Sequence, residues 1–125
     1  MKKVIHKADT RGHSQYDWLD SYHTFSFDEY FDSDRINFGA LRVLNDDKVA
    51  PGEGFQTHPH KNMEIISIPL KGHLQHGDSK KNSRHSFKKF IHILSPSNIP
   101  SEAISKKPRC NKTQAKYQPI AFFKN

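Results

Sequence analysis

GEGFQTHPHKNMEIISIPLKG (residues 52–72) is the stretch that decides the fold. Its second half is an apolar run of strand length, and Gly72 at its end supplies a tight turn into a further short strand. His58 and His60, near its start, are two residues apart. In an extended chain they project from one face, so both imidazoles can reach a single metal ion. Pro59 between them has no backbone N–H to donate, which predicts a sheet edge or the mouth of a barrel.

Turn residues separate short strand-like segments along the rest of the chain. We predict strands in HTFSF (residues 23–27), FGALRVL (38–44), HLQH (73–76), FKKFIHIL (87–94) and, weakened by a central proline, YQPIAFF (117–123). Polar turns are predicted at NDD (45–47), VAPGEG (49–54) and GDSKKNS (77–83). This spacing approaches the ~8–12 residues typical of an all-β sandwich or barrel. Residues 95–116 are polar, basic and interrupted by proline, which predicts a long loop or a disordered segment.

Length and composition limit the class of protein. The 125 residues suffice for one domain, and no apolar run approaches the ~18 residues that a membrane span requires. The basic start of the chain lacks an apolar stretch, so no secretory signal is visible. Cys110 is the only cysteine in the sequence, which excludes a disulfide within the chain. We therefore expect a protein of the reducing cytoplasm that has no membrane partner.

The formal charge of +7 is unevenly distributed. Residues 1–79 carry 9 basic and 12 acidic side chains, a net charge of −3, whereas residues 80–125 carry 11 basic side chains and 1 acidic one, a net charge of +10. KKNSRHSFKKF (residues 80–90) interleaves basic and aromatic residues, a pattern that could contact phosphates and stack bases. A solvated turn leading into a strand explains the same pattern more simply, so nucleic acid is not an expected partner.

Five strings extend the pattern around the two histidines: RGH (residues 11–13), WLDSYHTFSF (18–27), FGALRVLNDDKVAPGEGF (38–55), HPHKNMEI (58–65) and LKGHLQHGDSKKN (70–82). In their order and spacing, the chain resembles the amino-terminal domain of a pirin. The spacing of Gly52, His58, His60, Glu64 and Gly72 is also close to the first metal motif of cupins. The interval between Glu64 and Gly72 is one residue longer than in that motif. The resemblance implies a cupin-type, jelly-roll-like antiparallel β-barrel that holds one metal ion, usually iron.

The resemblance also transfers metal ligands residue by residue. His58 and His60 match two of the four ligands of the family, and Glu102 falls where the carboxylate ligand belongs. Pro100 stands where the third histidine is expected, and proline has no ligating side chain. Two imidazoles and a carboxylate suit Fe(II), and also Mn, Ni or Zn, with positions left for other ligands.

Two further residues are weaker ligand candidates. Glu64 takes the position of the glutamate that ligates in many other cupins, and His92 would ligate only if the altered loop brought it near. A divalent metal, most simply Fe(II), is the expected cofactor, and a barrel that binds metal weakly or not at all is the alternative. The family's pattern leaves no intact residue here as a general base, so catalytic residues stay unassigned.

We expect residues 1–125 to form a single pirin-like amino-terminal cupin domain, poorly matched from residue 84 onward and without the second cupin of the family. The resemblance implies a metal-dependent quercetin 2,3-dioxygenase-type activity on a small aromatic flavonol, or else a non-enzymatic interaction protein with a regulatory partner. An inactive, truncated gene remnant is a third interpretation, because the lost motif and the lost charge balance coincide. Incomplete closure of the barrel predicts exposed strand edges and self-association.

Overall fold

A computed structural model of the chain describes residues 3–60, 63–77, 83–87, 92–94, 102–107 and 115–123. Within these ranges lie one 3₁₀ turn, Ala8–Thr10, and ten strands. The strands are β1 (Gly12–Gln15), β2 (Leu19–His23), β3 (Leu41–Val49), β4 (Phe55–His60), β5 (Met63–Lys71), β6 (His73–Gly77), β7 (Ser83–Phe87), β8 (His92–Leu94), β9 (Glu102–Lys107) and β10 (Ala115–Phe123). The described residues include no helix that is long and apolar enough to span a membrane.

The strands form two antiparallel sheets. One sheet has six strands in the order β1-β2-β3-β10-β5-β8, and the other has four in the order β4-β9-β6-β7. Gly72 makes the predicted turn between β5 and β6 with a φ of 76°, a conformation that glycine adopts without strain. The prediction of an all-β fold is therefore confirmed.

The core lies between the two sheets. Along β2, β3 and β5, buried and half-buried residues alternate, as expected of strands that cover an interior on one face. Phe55 of β4 packs with Trp18 against Leu19 and Val49, which joins the smaller sheet to the larger one. A second cluster fills the other part of the larger sheet and consists of Val43, Ile65 and Ala121, with Met63 packed against it.

The polar turn predicted at residues 45–47 is wrong, because β3 continues through these residues to Val49. Asn45 and Asp47 occupy inward positions of the strand and are 3% and 2% exposed. Asp47 accepts a hydrogen bond from Ser21 on the neighbouring strand, so its burial is compensated by a polar partner. The chain turns after β3, at residues 51–52, where Gly52 has a φ of 78°, so the turn predicted within residues 49–54 is confirmed.

Three of the predicted strands differ in their bounds from the observed ones. β2 ends at His23, where the predicted strand of residues 23–27 begins, and Phe27 forms only an isolated bridge to Tyr30. The predicted strand over residues 87–94 corresponds to the end of β7 and to β8, and residues 88–91 between them lie outside the described residues. The strand at residues 38–44 begins three residues later than predicted, at Leu41.

The loop predicted over residues 95–116 is wrong for Glu102–Lys107, which form β9, and for its last two residues, which begin β10. This strand pairs with β4 on one side and with β6 on the other, so backbone hydrogen bonds order a segment whose polar composition gives no strand signal. Residues 95–101 and 108–114 lie outside the described residues. Pro119 is in the middle of β10, a central strand, and the ladder between β10 and β3 passes over Gln118 and Pro119.

Candidate functional site

The histidine pair lies on β4, an edge strand of the four-stranded sheet. Because Pro59 has no backbone N–H, the strand loses at most one hydrogen bond to its neighbour, and a strand at the edge of a sheet tolerates this loss. The pairing of β4 with β9 sets His58 opposite Ile104, Pro59 opposite Ala103 and His60 opposite Glu102. Residues two apart on a strand, and residues directly opposite on neighbouring strands, occupy the same face of a sheet. The backbone thus places the three predicted ligands on one face, although His60 and Glu102 are 42 positions apart in sequence.

The imidazole of His58 is oriented by its own strand. Its Nδ1 lies 2.7 Å from the carbonyl oxygen of Gln56. Because a carbonyl only accepts hydrogen bonds, Nδ1 carries a proton and donates it, and in the neutral form of the ring the lone pair is then on Nε2. Metal-ligating histidines are held in the same way, with one ring nitrogen donating to a carbonyl or carboxylate and the other facing the metal.

The weaker ligand candidates occupy other places. Glu64 alternates on β5 with Met63 and Ile65, which line the interior, so it lies on the outer face of the strand. The backbone of His92 is on β8, paired with Ser67, in the other sheet from His58. Pro100 lies outside the described residues. No group of three or more His, Cys, Asp or Glu side chains gathers among those that the structure describes, and the side chains of His60 and Glu102 are not part of that set.

His58 lies on the wall of an interior cavity of about 350 Å³. Most of the wall is apolar and aromatic, with Trp18, Phe55 and Ile120 among its members, and Trp18 and Phe55 meet edge to face with their ring centroids 5.0 Å apart. Cavities that bind small molecules in proteins start at about 300 Å³ and combine such apolar walls with a few placed polar groups. This cavity is therefore of a size and chemistry suited to one small aromatic molecule.

The sequence prediction missed the polar part of the wall, which β1, β2 and β3 supply. The side chains that line it there are Ser14, Ser21, His23, Asn45 and Asp47. His23 is only 1% exposed, and its polar surroundings in the sequence, which predict a solvated or a hydrogen-bonded histidine without a function, give no sign of this burial. A signal was available, because Ser21 and His23, and likewise Asn45 and Asp47, are two residues apart on a strand. That is the spacing that singles out His58 and His60.

Hydrogen bonds connect these buried groups. Ser14 Oγ lies 2.9 Å from His23 Nε2, and Ser21 Oγ lies 3.4 Å from His23 Nδ1. Ser21 donates its own proton to Asp47 Oδ1 at 2.5 Å. Burial lowers the pKa of His23, and the neighbouring Asn45 amide and the Asp28 carboxylate oppose this shift in part. His23 is therefore a neutral imidazole at neutral pH.

A tyrosine–aspartate pair lies at the exposed rim of the same cavity. The hydroxyl of Tyr16 donates to Asp28 Oδ2 at 2.6 Å, and this hydrogen bond raises the pKa of Tyr16. Asp28 has a φ of 53°, which a residue with a Cβ adopts only at some cost in energy. Asp28 thus adds a carboxylate to the lining of the cavity.

Two sheets enclosing a cavity with an edge-strand histidine pair define a cupin-type protein, and comparisons with known proteins make the assignment specific. The family model described as Pirin matches residues 4–95. The chain belongs to the pirin family. The family match ends before β9, while the likeness to solved structures extends over most of the chain.

Curated relatives show the same relationship. The protein named quercetin 2,3-dioxygenase of Escherichia coli strain K12 is 53% identical over 78 residues, which are 62% of this chain and 34% of the relative. A pirin-like protein of Caulobacter vibrioides is 40% identical over 87 residues, 70% of this chain and 38% of the relative. The chain thus matches about a third of the length of these proteins.

The solved structures agree on the fold. The bacterial pirin YhhW of Escherichia coli, solved in complex with nickel(II), superposes with a TM-score of 0.87 at 38% identity, covering 94% of this chain and 50% of that one. A predicted oxalate decarboxylase of Thermotoga maritima superposes with a TM-score of 0.67 at 11% identity, which supports the fold alone. The predicted cupin fold is confirmed.

Proposed function

We propose that this chain forms a metal-binding cupin site that oxidises a small aromatic substrate, in the manner of a quercetin 2,3-dioxygenase. The observation that carries the proposal is the hydrogen bond from His58 Nδ1 to the Gln56 carbonyl, on the wall of an apolar cavity. It fixes the tautomer whose Nε2 can ligate a metal. The relatives that bear the name quercetin 2,3-dioxygenase, and the nickel complex of the pirin YhhW, support the same class of site.

The residues present fit a divalent metal of the first transition series. His58 and His60 would supply two imidazoles, and Glu102, opposite His60 in the ladder, would supply a carboxylate. Two histidines and one carboxylate form the ligand set of many non-haem iron sites, and the set also accepts Ni, Mn or Zn. Any of these metals, when bound, would supply Lewis acidity, and a redox-active one such as iron would also supply the chemistry needed to use molecular oxygen.

The chain itself supplies binding, orientation and exclusion of water. The Trp18 and Phe55 rings and the aliphatic side chains of β5 and β10 give the cavity flat apolar surfaces on which an aromatic ring can stack. Tyr16 and Asp28 at the rim can hydrogen-bond a substrate hydroxyl. Held in this way, the substrate presents its polar edge to His58 and to the buried side chains of β2 and β3.

Oxygen consumption tests the proposal. Protein loaded with Fe(II) or Ni(II) is mixed with quercetin, and dissolved oxygen and the absorbance of quercetin are followed together. We expect both to fall in a protein-dependent manner, and we expect the His58→Ala, His60→Ala double variant to consume neither. A folded, metal-loaded protein that leaves both unchanged, or a double variant as active as the parent, would refute the proposed function.

A further inference from the structure

The polar wall of the cavity contains a chain of hydrogen bonds whose direction can be worked out. Ser21 has one hydroxyl proton and donates it to the Asp47 carboxylate, so its oxygen can only accept from His23. His23 Nδ1 must then carry a proton, and Nε2 of the neutral ring accepts from the Ser14 hydroxyl at 2.9 Å. The chain runs from Ser14 through His23 and Ser21 to Asp47.

The two ends of this chain have different surroundings. Asp47 and His23 are buried, at 2% and 1% exposed, whereas Ser14 is half-buried on the edge strand β1. Ser14 lines both the main cavity and a shallower depression at the surface beside His13 and Tyr30. A ligand in the cavity can therefore reach Ser14, the most exposed member of the chain.

A further buried acceptor lies on the same wall. Asn45 lines the cavity, and its Oδ1 makes no hydrogen bond of good geometry among the described residues, although the amide is close enough to His23 to raise the pKa of that ring. A buried acceptor without a well-aligned donor is destabilising, and a ligand hydroxyl at this place on the wall would satisfy it.

We propose that Ser14, His23, Ser21 and Asp47 form a relay that removes the proton from a hydroxyl of an aromatic ligand bound in the cavity. Its ligand class rests on the proposed function. The ligand O–H bond breaks and its proton moves to Ser14 Oγ, while the Ser14 proton moves to His23 Nε2. The products are a ligand oxyanion and a His23 imidazolium, and no group is oxidised or reduced. Ser14 contacts the ligand. His23 accepts the proton that Ser14 gives up, and Ser21 and Asp47 hold the His23 ring in the tautomer that can accept it.

The groups around His23 act on this transfer in both directions. The Asp28 carboxylate, on the loop after β2, favours the imidazolium, and Asp47 on β3 is linked to the ring through Ser21. His13 on β1 opposes the positive charge, and Tyr16 and His58 face the same cavity. Because burial lowers the pKa of His23, the ring starts neutral and can accept a proton.

The test measures ionisation of a bound ligand in metal-free protein. Quercetin is added to chelator-treated protein at a series of pH values, and the absorbance band of its ionised form reports the midpoint of deprotonation. We expect binding to lower this midpoint by at least about one pH unit, a tenfold change in acidity. His23→Gln and Ser14→Ala should abolish the shift, and Ser14→Thr, which keeps the hydroxyl, should retain it. His6→Gln, outside the cavity, is the matched histidine control.

Two results would overturn the relay: bound quercetin that ionises as it does in water, or a shift that survives both His23→Gln and Ser14→Ala. A protein that binds no quercetin would refute the proposed substrate class instead. In that case, nitrogen-15 NMR of the His23 ring in the free protein tests the relay, because it reports which ring nitrogen carries the proton. A proton on Nδ1 and a lone pair on Nε2, with Nε2 responding to Ser14→Ala, supports it, and the opposite tautomer refutes it.

Discussion

Gly12, the first residue of β1, lies directly against the ring of Tyr30. A Cβ built on Gly12 would overlap three atoms of that ring. We therefore expect Gly12→Ala to lower the free energy of unfolding by about 1–3 kcal/mol, the usual cost of overpacking. Chemical denaturation monitored by tryptophan fluorescence measures the loss.

Gly39 provides the matched control. A Cβ there meets no atom within 4 Å, but the φ of 57° disfavours any residue other than glycine. Gly39→Ala should therefore show a conformational cost alone, and a Tyr30→Ala change should relieve Gly12→Ala but not Gly39→Ala. Equal rescue of both variants by Tyr30→Ala would contradict the contact.

His23 should make the stability of the protein depend on pH. Burial lowers its pKa below the ordinary value of 6.5, so between these two values the unfolded chain binds more protons than the folded one. The free energy of unfolding should therefore fall as the pH decreases from about 6.5 through that interval. Denaturation curves at a series of pH values should show this slope in the parent and a weaker slope in His23→Gln.

A histidine outside the cavity provides the control for this slope. His6→Gln removes such a histidine, and the pH dependence of its unfolding free energy should match that of the parent. A parent whose stability does not change below pH 6.5, or a His23→Gln variant with an unaltered slope, would contradict a buried neutral His23.

Residue spacing predicted part of the site. The i, i+2 pattern of His58 and His60 is visible because histidines are conspicuous and a proline marks the strand edge. Asn45 and Asp47 have the same spacing, but their residue types predict a turn, since Asn and Asp favour turns in general. The deciding interaction is tertiary: Ser21, on another strand, supplies the hydrogen bond that lets Asp47 be buried.

The candidate site depends on how strand β9 pairs with its neighbours. Glu102 has no local feature that identifies it, and the residues around it predict a loop because their own pattern carries little strand signal. Pairing with β4 and β6 determines the structure of this segment and sets Glu102 opposite His60. Only the family resemblance, and not the composition, places this residue near the histidines.

Cross-linking tests that register without touching the candidate ligands. Pro59 and Ala103 are directly opposite each other, at a Cα separation typical of antiparallel neighbours and within disulfide reach. In a Cys110→Ser background, Pro59→Cys with Ala103→Cys should form a disulfide under mild oxidation. Thiol titration and intact mass should show the loss of two thiols in a monomer.

A pair displaced by one residue serves as control. Pro59→Cys with Ile104→Cys puts the two thiols on opposite faces of the sheet and should stay reduced. If the displaced pair closed and the direct pair did not, the register would be shifted by one residue, and Glu102 would face away from His58 and His60.

Several large apolar side chains are exposed on the part of the surface that the structure describes. Ile5, Phe31 and Phe38 are 81%, 76% and 71% exposed, and Ile5 and Phe38 line a surface groove of about 880 Å³. Exposed apolar patches of this kind promote association. We expect the parent to self-associate in light scattering after size-exclusion chromatography, and Ile5→Ser with Phe38→Ser to shift it toward the monomer.

Replacing an exposed polar residue, as in Glu53→Ser, should leave the association unchanged. A parent that elutes as a single monomeric species at all concentrations tested would contradict the expected self-association.

At the scale of the whole molecule, the spacing of the strands is enough to predict the fold class but not the order of strands in the sheets. β10 lies between β3 and β5 although it is far from both in the sequence.

Metal content tests the central claim most directly. The protein is isolated, incubated with Fe(II) or Ni(II), desalted and measured by mass spectrometry of the elements, beside the His58→Ala, His60→Ala variant. We predict about one metal ion per chain in the parent and a loss of most of it in the variant, since two imidazoles provide most of the ligand set. A folded parent that retains no metal, or a variant that retains as much as the parent, would contradict a metal site at the edge of the four-stranded sheet.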